Sequence, residues 1–123
     1  MLAELSAALQ AASSTTLGQK ALNGHAEDFQ LEIAGHEPIH VEVAEGRLSL
    51  AGGPSPRREP MHFTRVQLDE PTLRSILDGR LSPVEAMSQG KLLLRTRLYG
   101  GALITILLRA AYDLARERRL AAT

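Results

Sequence analysis

The chain has no cysteine among its 123 residues. That excludes a disulfide framework, a thiolate metal site and a thiol nucleophile. Tryptophan is also missing, and aromatics make up 3% of residues, as Phe29, Phe63, Tyr99 and Tyr112. A platform that stacks the bases of single-stranded nucleic acid needs more rings than these. Neither sign of charge dominates, with 14 Lys plus Arg against 14 Asp plus Glu. A dedicated nucleic-acid binder carries a basic excess, so no nucleic-acid partner is expected. Long apolar runs are lacking too. The longest, Leu98 to Leu108, is about half the ~20 residues that a membrane-spanning helix needs. The N-terminus has no positive start of the signal-peptide kind, and Glu4 and Gln10 interrupt its apolar positions. The expectation is a soluble cytoplasmic protein, folded as a single domain over residues 1–123.

Catalytic chemistry is as scarce as cysteine. The histidines His25, His36, His40 and His62 show no HxH or HExxH spacing, and no acidic cluster is expected beside them. They read as turn and surface residues. No GxSxG is present, and Ser13, Ser49, Ser55, Ser75, Ser82 and Ser88 all have cap, turn or surface explanations. Gly52-Gly53 and Gly100-Gly101 are not followed by Lys-Ser/Thr, so neither is a phosphate loop. No catalytic residue, metal site or cofactor is expected, and the chain does not read as an enzyme.

What is present is well-punctuated secondary structure, clearest from Asp69 to Leu94. Asp69 suits an N-cap, with Glu70 and Pro71 in the first turn. Leu73, Ile76 and Leu77 then share a helical face, and Gly79 stops the helix. Ser82-Pro83-Val84-Glu85 opens the next helix as a capping box, with Leu81 and Ala86 at the staple positions. Gly90 ends that helix, and a strand begins at Lys91, with Leu92 and Leu94 on one face and Leu93 on the other.

Around this stretch the periodicities are clear. Residues 1–24 form a helical segment, with Leu2, Leu5 and Leu9 as a stripe and Ser13 to Thr16 as a break or a new cap. Asp28 to Leu50 alternates with period two in three runs, turning at Gly35 to Pro38 and at Glu45-Gly46. That predicts an antiparallel meander with one apolar and one wet face, His40 lying on the wet one. Ala51 to Pro60 is a loop, and Met61 to Leu68 is a fourth strand in which Arg65 breaks the alternation. Residues 25–97 therefore hold the sheet and two short helices. Residues 98–120 form a last helix with one narrow polar stripe, Thr105, Arg109, Asp113, Arg116 and Glu117. Its apolar face is wider than the roughly 100° of an ordinary surface helix. Burial on more than one side is required, against the sheet and either a second subunit or an apolar ligand.

The order Leu73…Ile76-Leu77-Asp78-Gly79-Arg80-Leu81-Ser82-Pro83…Ala86…Gln89-Gly90-Lys91-Leu92 resembles the sterol carrier protein type 2 family, over about Phe29 to Leu107. The resemblance implies an α+β fold. A five-stranded, mostly antiparallel twisted sheet is covered on one side by four to five helices, with an apolar tunnel between. It implies lipid binding without enzymatic activity: fatty acyl chains, acyl-CoA, phospholipids or sterol-like molecules. By position the tunnel-lining residues are Leu73, Ile76, Leu77, Ala86, Met87, Leu92, Leu94, Leu103, Ile106 and Leu107. Arg95, Arg97 or Arg57-Arg58 can meet an anionic head group. The chain departs from the family pattern at Thr96-Arg97, where a glycine is usual, and at Met61-His62, where many members carry an aspartate. Expected partners are an apolar lipid ligand, a membrane in transient contact, and a second copy joined through the C-terminal helix. Two other roles compete with the carrier: a dimerisation or interaction module, and an accessory factor that presents a polyprenyl or quinone-like intermediate to an enzyme.

Overall fold

The computed structural model describes residues 1–23, 27–54, 63–95 and 102–122, with Phe63 and Ala102 by backbone alone. His25, Ser55, Arg57, Arg58, Met61, His62, Thr96, Arg97, Leu98, Tyr99, Gly100 and Gly101 lie outside the described residues. The chain builds α1 (Leu2–Ser13), α2 (Thr16–Leu22), β1 (Glu27–Ile33), β2 (Ile39–Ala44), β3 (Arg47–Gly52) and β4 (Phe63–Leu68). It continues with α3 (Glu70–Leu77), α4 (Pro83–Ser88), β5 (Leu92–Arg95) and α5 (Ala102–Ala121). The fold class is α+β, with a five-stranded sheet in the order β3-β2-β1-β4-β5. All pairings are antiparallel except β1 with β4.

Period-two alternation becomes apolar rows across the sheet. Register aligns Leu50, Val41, Phe29 and Thr64 in one row. Ile39, Leu31, Val66 and Leu94 form the next, and Ile33, Leu68 and Leu92 the third. Thr64 apart, these side chains make one cluster with Leu5, Leu9 and Leu22 of the N-terminal helices, Leu73, Ile76 and Ala86 of α3 and α4, and Leu103, Ile104, Leu107 and Leu108 of α5. Arg65 does not break the alternation. It falls on the outer face with Gln67, while Thr64, Val66 and Leu68 point into the core. The outer face is drier than period two predicts. Asp28 and Gln30 of the central strand β1 and His40 of its neighbour β2 are all buried there, because each of these strands is flanked on both sides.

The helix boundaries follow their local chemistry. Asp69 accepts from the Thr72 amide at 2.8 Å, and Ser82 Oγ accepts from the Glu85 amide at 3.1 Å. The capping box closes unusually, since the Ser82 hydroxyl itself donates to Glu85 Oε1. Ser13 to Thr16 both breaks and recaps the N-terminal segment: α1 ends at Ser13, and Thr15 Oγ1 accepts from the Gly18 amide at 2.9 Å to start α2. Leu5 and Leu9 are buried as expected, but Leu2 is 38% exposed and Leu17 45%.

The breadth of α5 has an internal explanation. It packs against α1, α2, α3 and α4 from its own chain. Ala110 and Ala111 meet Ala12 of α1. Beyond Ala115 every described residue is exposed, although the Arg116 backbone meets Gly79 and Arg119 donates to the Gly79 carbonyl. No helix among the described residues is long and apolar enough to cross a membrane.

Gly79 is where α3 meets α5. Its φ is +74°, and its amide and that of Arg80 close a Schellman turn on Ile76 and Ser75. A Cβ there would collide with the Arg116 backbone and sit 2.8 Å from the Ala115 carbonyl carbon. Gly90 closes α4 with the same turn at φ +71°, but a Cβ there would meet open space. Gly90→Ala is therefore expected to lose only the left-handed penalty of about 1 kcal/mol, and Gly79→Ala clearly more. Urea unfolding of both variants checks this. Equal losses would show that the two backbones do not approach.

Candidate functional site

The candidate site is the corner of the core where α3, α4, β5 and α5 converge. The capping residues hold α3 and α4 in place, so each short helix presents its apolar side to the same volume. Leu73, Ile76, Ala86 and Leu107 have no exposed surface, Leu92 keeps 2% and Leu103 4%. Leu77, Met87 and Leu94 are half-buried and packed on that cluster. These nine therefore come together. Ile106 differs: it is half-buried and outside the cluster. Four surface clefts formed by described residues, with volumes of about 180 to 440 Å³, are lined by none of the ten.

Of the arginines expected near a head group, only Arg95 is described. It lies on the outer face of the sheet, opposite Arg65. Two like charges directly across a ladder repel, and Glu32 relieves them. Arg65 donates to both Glu32 oxygens, at 2.6 and 2.7 Å. Gln67 and Gln30 donate to the same carboxylate, at 2.9 and 2.8 Å, and Arg95 donates to Gln67 Oε1 at 2.8 Å. Arg95 is thus engaged in a polar ladder, away from the apolar corner.

The sequence reading missed a second polar group on this face. His40 Nε2–H donates to Asp28 Oδ2 at 3.1 Å, and the Asp28 side chain has no exposed surface. Ligand atoms of Asp28, His40 and Glu42 all lie within 4.8 Å of one another. His40 is therefore neither a surface histidine nor remote from carboxylates. The signal was in the register: Gln30 pairs with His40, which sets Asp28 diagonal to it. Among the described residues, no buried side-chain nitrogen or oxygen lacks a partner.

Arg65 foremost, then Gln67 and Gln30, hold Glu32 well below the usual carboxylate range, at about 2, against an opposing effect of burial. A depressed acid stabilises the fold above its unfolded pKa, and that contribution is lost as pH falls through the folded value. The window runs from about 4.5 down to about 2. Glu32→Gln is expected to flatten the stability profile across it, read by thermal unfolding at stepped pH. An unchanged acid slope would show that Glu32 is not the group responsible.

No family model matches the chain, and no curated relative does either. Solved structures do match. "Crystal structure of sterol carrier protein 2" superposes with a TM-score of 0.63 at 18% identity, over 95% of this chain and 96% of that one. The ubiquinone synthesis protein UbiJ-SCP2 gives 0.64 at 13% identity, over 94% and 91%. The inverting sec-alkylsulfatase Pisa1 from Pseudomonas sp. gives 0.58 at 21% identity over 73% of this chain, which spans only 13% of that enzyme. At these identities the likeness is one of fold, and it matches the architecture that the residues 69–94 pattern implied: the chain has the sterol carrier protein 2 fold.

Proposed function

We propose that the chain is a non-enzymatic carrier of an apolar ligand, held between its helices and its sheet in the α3–α4–β5–α5 corner. The observation that carries this reading is the fold match over nearly the whole length of a sterol carrier protein structure. The apolar side chains gathered at that corner support it. The mechanism is equilibrium burial. Each methylene removed from water contributes ~0.8 kcal/mol, so a long chain binds well without a charged anchor. Residues 1–123 act in this reading as a single ligand-binding domain. Leu73, Ile76, Leu77, Ala86, Met87, Leu92, Leu94, Leu103, Ile106 and Leu107 line the ligand's path. Ligand loading takes place in transient contact with a membrane.

A second reading is an accessory factor that presents a polyprenyl or quinone-like intermediate to an enzyme. The likeness to a ubiquinone synthesis protein favours it. The dimer has less support, because the breadth of α5 that called for a second subunit is covered by α1 to α4.

Native mass spectrometry followed by solvent extraction distinguishes these roles. A co-purifying acyl lipid supports the carrier, and a prenylated aromatic supports the accessory factor. A ligand-free protein that takes up neither fluorescent fatty acid nor a polyprenyl probe over a wide concentration range contradicts both. Ile106→Glu is expected to cut probe uptake at least tenfold while the protein stays folded. Leu107→Glu is expected to unfold it, because an unpaired buried charge costs ~3–5 kcal/mol.

A further inference from the structure

At the exposed end of α5 the chain forms a cleft of about 240 Å³, lined by Gly79, Arg80, Tyr112, Arg116, Arg119 and Leu120. Three guanidinium groups share it, and no carboxylate is part of its lining. Two are tethered: Arg116 donates to the Tyr112 hydroxyl at 2.8 Å, and Arg119 to the Gly79 carbonyl at 2.8 Å. Arg80 makes no hydrogen bond or ion pair through its side chain among the described residues. The close approach of Gly79 to the Arg116 backbone fixes the walls, because it locks the turn after α3 against α5.

Helix dipoles explain only part of this charge. α3 and α5 both end nearby, and each C-terminus carries roughly −0.5 of a charge. Together they offset about one of the three positive charges. Glu85 and Asp113 act on Arg116 more weakly than Tyr112 does, and from outside the cleft. A positive excess in a small concave site remains.

We propose that this cleft binds a phosphate group through Arg80, Arg116 and Arg119. Guanidinium forks match phosphate oxygens two at a time. Arg116 and Arg119 each use one N–H internally and keep the others for a ligand. The Tyr112 hydroxyl accepts from Arg116, so its own proton is available to a phosphate oxygen. The volume lies below the ~300–1,000 Å³ of drug-sized pockets, which suits one small anionic group. The phosphate belongs either to a soluble phosphate ester or to a lipid head group. The site stands whether or not the apolar corner holds a lipid.

Two arms distinguish those sources, both on the full chain. Inorganic pyrophosphate is titrated calorimetrically, and phosphatidylcholine vesicles with and without phosphatidic acid are sedimented with the protein. Binding is expected in at least one arm. Pyrophosphate alone points to a soluble ligand, and phosphatidic acid vesicles alone to a head group. Arg80→Gln, whose side chain makes no hydrogen bond or ion pair with another described residue, is expected to weaken binding about tenfold. Arg118→Gln is the control: it sits at the same helix end but lines a different groove, with Ala11 and Leu114. It is expected to change binding less than twofold. No binding in either arm, or equal losses in the two variants, would overturn the site in favour of diffuse attraction to a basic helix end.

Discussion

Burial of α5 is the constraint on which the rest of the structure depends. Leu103, Ile104, Leu107 and Leu108 are nearly or wholly removed from water, and each contributes on the order of 1.5–3 kcal/mol. Exposed ion pairs such as Arg74–Glu4 at 2.6 Å contribute far less, because water screens them. Packing therefore decides the arrangement. A helix this broadly apolar cannot lie at a surface, so α1 to α4 surround it and the sheet forms the floor. From Arg116 onward every described residue of α5 is exposed, and Arg116, Arg118 and Arg119 cluster there.

The punctuation of the chain serves that burial. Two Schellman turns and two side-chain caps make α3 and α4 short and sharply bounded. Short helices can tilt their apolar faces toward one corner, which a single long helix cannot do. Gly79 combines both demands, since it ends α3 and lets the turn touch the α5 backbone. On the opposite face of the sheet, Glu32 and the Asp28–His40 pair solve a different problem. A central strand buries its outward side chains as well as its inward ones, so polar residues there need partners from adjacent strands.

Much of this was legible in the sequence. Caps and glycines are local signals, and Asp69, Ser82, Gly79 and Gly90 each act where their chemistry predicts. Period two placed Phe29, Leu31, Ile33, Val41 and Val43 correctly inward. Other features depend on pairs distant in sequence. His40 meets Asp28 only once the β1–β2 register exists, and Arg65 reads as a break until β4 pairs with β1. The width of the α5 apolar face was visible, but its cause was not. Periodicity reports how much surface must be covered, and the covering helices come from sequence positions far away.

Native-state hydrogen exchange across α5 tests the central claim most directly. If this helix is the hub, amides from Leu107 to Ala111 exchange only through global unfolding, at the same free energy as the central strand β1. Exchange in α5 through a local opening well below the global value, with β1 still protected, would show that the fold stands without it and contradict the account.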